Sequence, residues 1–137
     1  QLAIELSIDG ENWIADPGTY LYTALPAKRN EYRSVSAHCA PRFNGNEPAR
    51  LDLNLFRLEE TTHSKCLYFG EMGFIGMHEG YGAPVWRVVS IEENTIQIID
   101  YYSHLADVAE ELVMVRDSLP EHPDISPGYG ILYARPQ

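Results

Sequence analysis

Apolar and polar residues alternate from the start of the chain. Leu2, Ile4, Leu6 and Ile8 occupy every second position, with Ala3, Glu5 and Ser7 between them. A period of two places the four aliphatic side chains on one face, the pattern of a half-buried strand over residues 2–8. Asp9-Gly10 follows, a pair that accepts positive φ in a tight hairpin, so residues 12–16 are expected to return as the partner strand. Asn44-Gly45 marks another turn, and residues 50–58 alternate again through Leu51, Leu53 and Leu55. Residues 65–70, 73–78, 85–91 and 95–101 are short aliphatic and aromatic runs bounded by Gly, Pro or Asn, with Glu93-Asn94 between the last two. Strands of this length and spacing predict an all-β fold, an antiparallel β-sandwich of about ten short strands. Pro120, Pro123 and Pro127 then impose a loop, and residues 129–134 close the sheet.

Ionisable, aromatic and turn-forming residues crowd into residues 13–41. Asp16 ends the apolar run Trp13, Ile14, Ala15 and precedes Pro17-Gly18, where proline sets one turn dihedral and glycine supplies another. Residues 18–30 read as a loop longer than a hairpin needs, a common setting for binding. Residues 33–38 read as a second extended segment, Arg33, Val35 and Ala37 alternating with Ser34, Ser36 and His38. If the two segments pair, Asp16 and His38 converge. Imidazole and carboxylate are a usual zinc ligand pair, but zinc takes at least three protein ligands, and a third is needed. Each residue alone also has an ordinary role, Asp16 as a turn acceptor and His38 as a packed or solvated ring. Tyr20, Tyr22 and Tyr32 flank Lys28-Arg29, and a ring beside cations suits stacking on a pyranose as well as covering a sheet edge.

At 137 residues and 45% hydrophobic content, the chain suits a single domain with its own core. A formal charge of −10 argues against nucleic acid and anionic membranes as partners, since both demand a basic face. No apolar run approaches the roughly 20 residues of a membrane span. Four of the ten basic residues, Lys28, Arg29, Arg33 and Arg42, nevertheless fall near the candidate site, where local potential can differ from net charge. Cys39 and Cys66 match no metal or redox spacing, and sequence leaves open whether they pair. His63, His104 and His122 sit in polar stretches and read as surface residues.

The order D-P-G-T-Y-x-Y-T, then R-N-x-Y-R-S-x-x-A-H, then an N-G turn, resembles the C-terminal β-sandwich of the heparinase II/III-like polysaccharide lyases. The resemblance continues through His78-Glu79-Gly80-Tyr81, Arg87-Val88-Val89, Ile98-Ile99-Asp100 and Pro127-Gly128-Tyr129-Gly130, and covers most of the chain. It implies that Asp16 and His38 are zinc ligands, with a third histidine from an H-x-H-x-D stretch upstream of Gln1. An asparagine and a threonine usually follow the histidine, where Cys39 and Ala40 stand here. It further implies that the loop faces a substrate cleft, with Tyr22, Arg33 and His78 as sugar contacts. In residues 105–115, Leu105, Val108, Ala109 and Leu112 fit helical spacing while residues 111–116 also fit a buried strand; the resemblance favours a strand for the second half, and a helical turn is expected near residues 106–110.

The family cleaves uronic-acid-containing polysaccharides by β-elimination, and its main catalytic residues come from an N-terminal α/α toroid. Residues 1–137 are therefore expected to form one wall of the cleft in a periplasmic or secreted lyase, to need that toroid as partner, and to be catalytically incomplete alone. A non-catalytic carbohydrate-binding or scaffold module is the alternative. A glycoside hydrolase is a weaker third option, because it needs two carboxylates about 5–10 Å apart and only Asp16 has a distinctive setting.

Overall fold

Short strands joined by tight turns build the domain. The computed structural model describes residues 1–104, 107–115, 125–128 and 131–133. Strands β1 (Leu6–Ile8) and β2 (Glu11–Ile14) form an antiparallel ribbon, closed by Asp9 and Gly10 at φ 53° and 84°. A helix, α1 (Pro26–Arg33), precedes a five-stranded antiparallel meander of β3 (Lys65–Gly70), β4 (Gly73–His78), β5 (Val85–Glu92), β6 (Thr95–Tyr102) and β7 (Val108–Val115), in that spatial order. Strands β8 (Ile125–Gly128) and β9 (Ile131–Tyr133) pair with each other. The fold is all-β, a sandwich of antiparallel sheets with one short helix among the described residues.

Register explains where the core sits. Val85, Arg87 and Val89 of β5 lie opposite Tyr102, Asp100 and Ile98 of β6, and Ile98 lies opposite Leu112 of β7. Alternation puts Arg87, Val89, Ile98, Asp100 and Leu112 on one face of the meander. The β1–β2 ribbon covers that face: Trp13, Ile14 and Ile98 form the buried cluster, with Ile4, Leu6, Ile8, Val89, Ile96 and Leu112 packed around it. Burying each of these large side chains stabilises the fold by about 1.5–3 kcal/mol. Gly76, opposite Arg87, leaves room for the first segment, since a Cβ there would lie 2.6 Å from the Leu2 side chain.

Several elements depart from the sequence reading. The alternating burial of residues 2–8 is present, but only Leu6–Ile8 is strand; Leu2 sits at φ 55° and the Ile4 N–H is donated to the Cys39 carbonyl instead of to a strand neighbour. Residues 18–30 are not all loop, because Pro26 starts α1. The residues 33–38 are not extended: Arg33 ends the helix, and successive turns follow, with the N–H groups of Ala37 and His38 bonded to the carbonyls of Ser34 and Val35. Residues 50–58 form no strand. Asn54 Oδ1 accepts the N–H groups of Phe56 and Arg57, at 2.8 and 3.1 Å, and bends the chain there. The helical turn expected over 106–110 is absent at its second half, where β7 begins at Val108; Leu105 and Ala106 lie outside the described residues. Residues 129, 130 and 134 of the expected closing strand also lie outside them.

Candidate functional site

Asp16 and His38, 22 residues apart, meet at 2.8 Å between Oδ2 and Nδ1. Each is fixed from its own side. Asp16 Oδ1 accepts the Gly18 N–H at 2.8 Å, so the Pro-Gly turn aims the carboxylate. His38 Nε2 lies 2.9 Å from the Tyr32 carbonyl at the end of α1, so the helix and the turns after it aim the ring. The two residues therefore converge as sequence expected, by another route: a helix and a turn carry the histidine, not a paired strand.

The loop is anchored below by Arg87. Its Nε and Nη2 donate to the two carboxylate oxygens of Asp100 at 2.8 and 2.7 Å, with both side chains at most 3% exposed. Its remaining terminal nitrogen donates to the carbonyls of Leu2 and Cys39. A buried guanidinium with every side matched is a rigid post, because any displaced acceptor leaves a desolvated donor. Cys39 immediately follows His38. Arg42 adds bonds to the carbonyls of Ser36 and His38, and the Glu47 carboxylate accepts the Val35 N–H. The Arg87–Asp100 pair and Glu47 escaped the sequence reading as site supports. The signal was available only for the pair, as a charged residue on the apolar face of each of two neighbouring strands.

The chemistry of the donors fits a metal as far as two ligands go. Both ring nitrogens of His38 face an acceptor, the Tyr32 carbonyl at Nε2 and the Asp16 carboxylate at Nδ1; with the Nε2 proton kept by the carbonyl, a cation would take the place of the proton at Nδ1, between imidazole and carboxylate. The side chains of His38 and Asp16 are 23% and 41% exposed, which leaves them open to a further group. Among the described residues no set of three His, Cys, Asp or Glu side chains gathers at one point. Cys39 is poorly suited to complete the set. It packs against the core, and burial pushes its thiol up from the ordinary range. Both cysteines are free.

The proposed sugar contacts fall in three settings. Tyr22 is 49% exposed, stacks on Phe56 with ring centroids 6.3 Å apart, and lies under the Arg29 guanidinium at 5.8 Å. Arg33 is half-buried: Nε donates to Asn30 at 2.9 Å and Nη2 to the Leu51 carbonyl, tying α1 to residues 50–58. His78 is 1% exposed, accepts the Gly80 N–H on Nδ1 at 3.1 Å and packs on Tyr81. Burial, with the Arg87 charge nearby, lowers its pKa to about 4, so it is neutral and enclosed. The structure brings Tyr22 and Arg33 onto the α1 surface and His78 into the interior. Of the other cations, Lys28 is held by Glu31 at 2.7 Å. A cavity of about 200 Å³ between Trp13 and the β5–β6 turn is lined by Asp9, Glu92 and Glu93, the wrong sign for an acidic sugar.

The domain is thus an all-β sandwich that carries a part-exposed Asp–His pair, with the histidine beside a loop tied to β5 by Arg87. The sequence matches the family described as heparinase II/III-like, C-terminal, over residues 1–126. The chain belongs to that family, a family of polysaccharide lyases. No curated protein and no solved structure matches it significantly. Among the described residues no helix is long and apolar enough to cross a membrane.

Proposed function

We propose that residues 1–137 are the C-terminal sandwich of a lyase that cleaves uronic-acid-containing polysaccharide by β-elimination, and that Asp16 and His38 are two of the three ligands of a zinc ion. The 2.8 Å contact between them, each residue aimed by its own backbone partner, is the observation that supports this reading most. The third ligand comes from outside residues 1–137. Asp16 and His38 would hold the ion, which would supply a positive charge at the loop.

In this reading the domain forms one wall of the cleft. The C5 proton of a uronate is weakly acidic, so its removal requires stabilisation of the enolate-like charge that develops. The groups for that step belong to an N-terminal toroid, and this domain alone is inactive. What its own residues do is hold the wall. Arg87 fixes the His38 loop, Arg33 fixes residues 50–58 against α1, and Tyr22 offers a ring to the polysaccharide. The full-length protein acts in the periplasm or outside the cell, where such polymers are met.

Metal analysis of the full-length protein and its Asp16→Ala and His38→Ala variants tests the assignment. One equivalent of zinc in the parent and loss from both variants is expected. Retention of stoichiometric zinc by either variant sinks it.

A further inference from the structure

We propose that Phe56, backed by Tyr22 and flanked by Arg29, is a stacking platform for a uronate residue of an acidic polysaccharide. The inference rests on the lyase reading and adds to it a residue on a segment that had no role. Phe56 is 65% exposed, although a ring in water forfeits the free energy its burial would release. It is not loose. Asn54 Oδ1 holds the N–H groups of Phe56 and Arg57, and Arg33 holds the carbonyl of Leu51, so the segment is set against α1 before any ligand arrives. Tyr22 lies behind it at 28° between ring planes, itself half exposed.

Two half-exposed rings in offset contact match the apolar C–H face of a pyranose. The charge beside them selects an acidic one. Arg29 makes no ion pair among the described residues, and its guanidinium rests over Tyr22. Arg29 and Arg33 lie one helical turn apart on α1, a spacing at which like charges repel. Burial and the Arg29 charge together push Arg33 below its ordinary value. A carboxylate arriving at the rings relieves that repulsion. The opposed net charge of the chain, −10, makes such a local cationic edge the place where a polyanion can approach.

Affinity electrophoresis of this chain in gels containing alginate, polygalacturonate or heparan sulfate, with neutral dextran as reference, reads the platform directly. Retention by at least one acidic polymer is expected, roughly tenfold weaker in Phe56→Ala and Tyr22→Ala and preserved in Phe56→Trp. Arg29→Gln should weaken retention and flatten its salt dependence. Retention by none of the acidic polymers, equal retention in dextran, or no change in Phe56→Ala overturns the proposal. The full-length protein separates the two readings through the ultraviolet absorbance of unsaturated product. With the platform intact, Phe56→Ala raises KM about tenfold and leaves kcat unchanged. Unsaturated product with an unchanged KM removes the platform alone; retention without unsaturated product removes the lyase reading and leaves the platform standing.

Discussion

Arg87 and Asp100 face each other across β5 and β6 and share two parallel hydrogen bonds, 2.8 and 2.7 Å long, inside the domain. Desolvating two charges costs more than a single contact returns, so the pair is stable only because the bidentate geometry and two backbone carbonyls complete it. Asp100→Ala leaves the guanidinium buried and unpaired, and a loss of about 3–5 kcal/mol is expected in urea unfolding. A loss below about 1 kcal/mol would mean that water reaches Arg87 and that the post is not rigid.

His78 gives the domain a pH dependence of known sign. Its folded pKa, about 4, lies below the ordinary 6.5, so between these values the unfolded chain binds the proton and the native one does not. Its contribution is complete above pH 6.5 and is lost as pH falls toward 4, by roughly 3 kcal/mol in all. Carboxylates titrate over the same interval, and His78→Phe isolates the imidazole. The difference in unfolding free energy between parent and variant should change with pH across that window; a constant difference would show that the ring is solvated.

Gly73 sits at the β3–β4 turn with φ 132°, and a Cβ added to it would lie 1.9 Å from the Val89 carbonyl oxygen. Gly73→Ala must therefore push β4 away from β5, with an expected cost of about 2 kcal/mol or more. The denaturation midpoint reads this. Gly10→Ala, also at positive φ but with nothing within 4 Å, should cost less, and the reverse ranking would contradict the β4–β5 packing.

The two thiols should differ in access. Cys66 is exposed on the edge strand β3 and Cys39 is packed against the core. Brief iodoacetamide treatment followed by peptide mass mapping should label Cys66 first. Equal labelling would place the loop after His38 in solvent.

Turn chemistry made most of the meander legible. Asp9-Gly10, Asn44-Gly45 and Glu93-Asn94 mark real turns, and β3 and β4 have the limits their bounding residues indicate. Helix α1 was not legible because it buries nothing: Pro26 is a good first residue, but the remaining positions carry no apolar stripe from which a period of 3.6 can be read. Residues 50–58 misled in the opposite way. Leu51, Leu53 and Leu55 alternate without a sheet to receive them, and Leu53, Phe56 and Leu58 remain exposed. The Asp16–His38 contact was foreseeable from ligand chemistry, whereas the support of Arg87 depended on strand register, which no local pattern encodes.

One nitrogen of Arg87 touches two carbonyls, those of Leu2 and Cys39, that are far apart along the chain. The opening segment and the turn bearing the histidine are thus bolted to a common pin. Slack introduced at Leu2, by a deletion in the opening segment, would be felt at His38 without touching it.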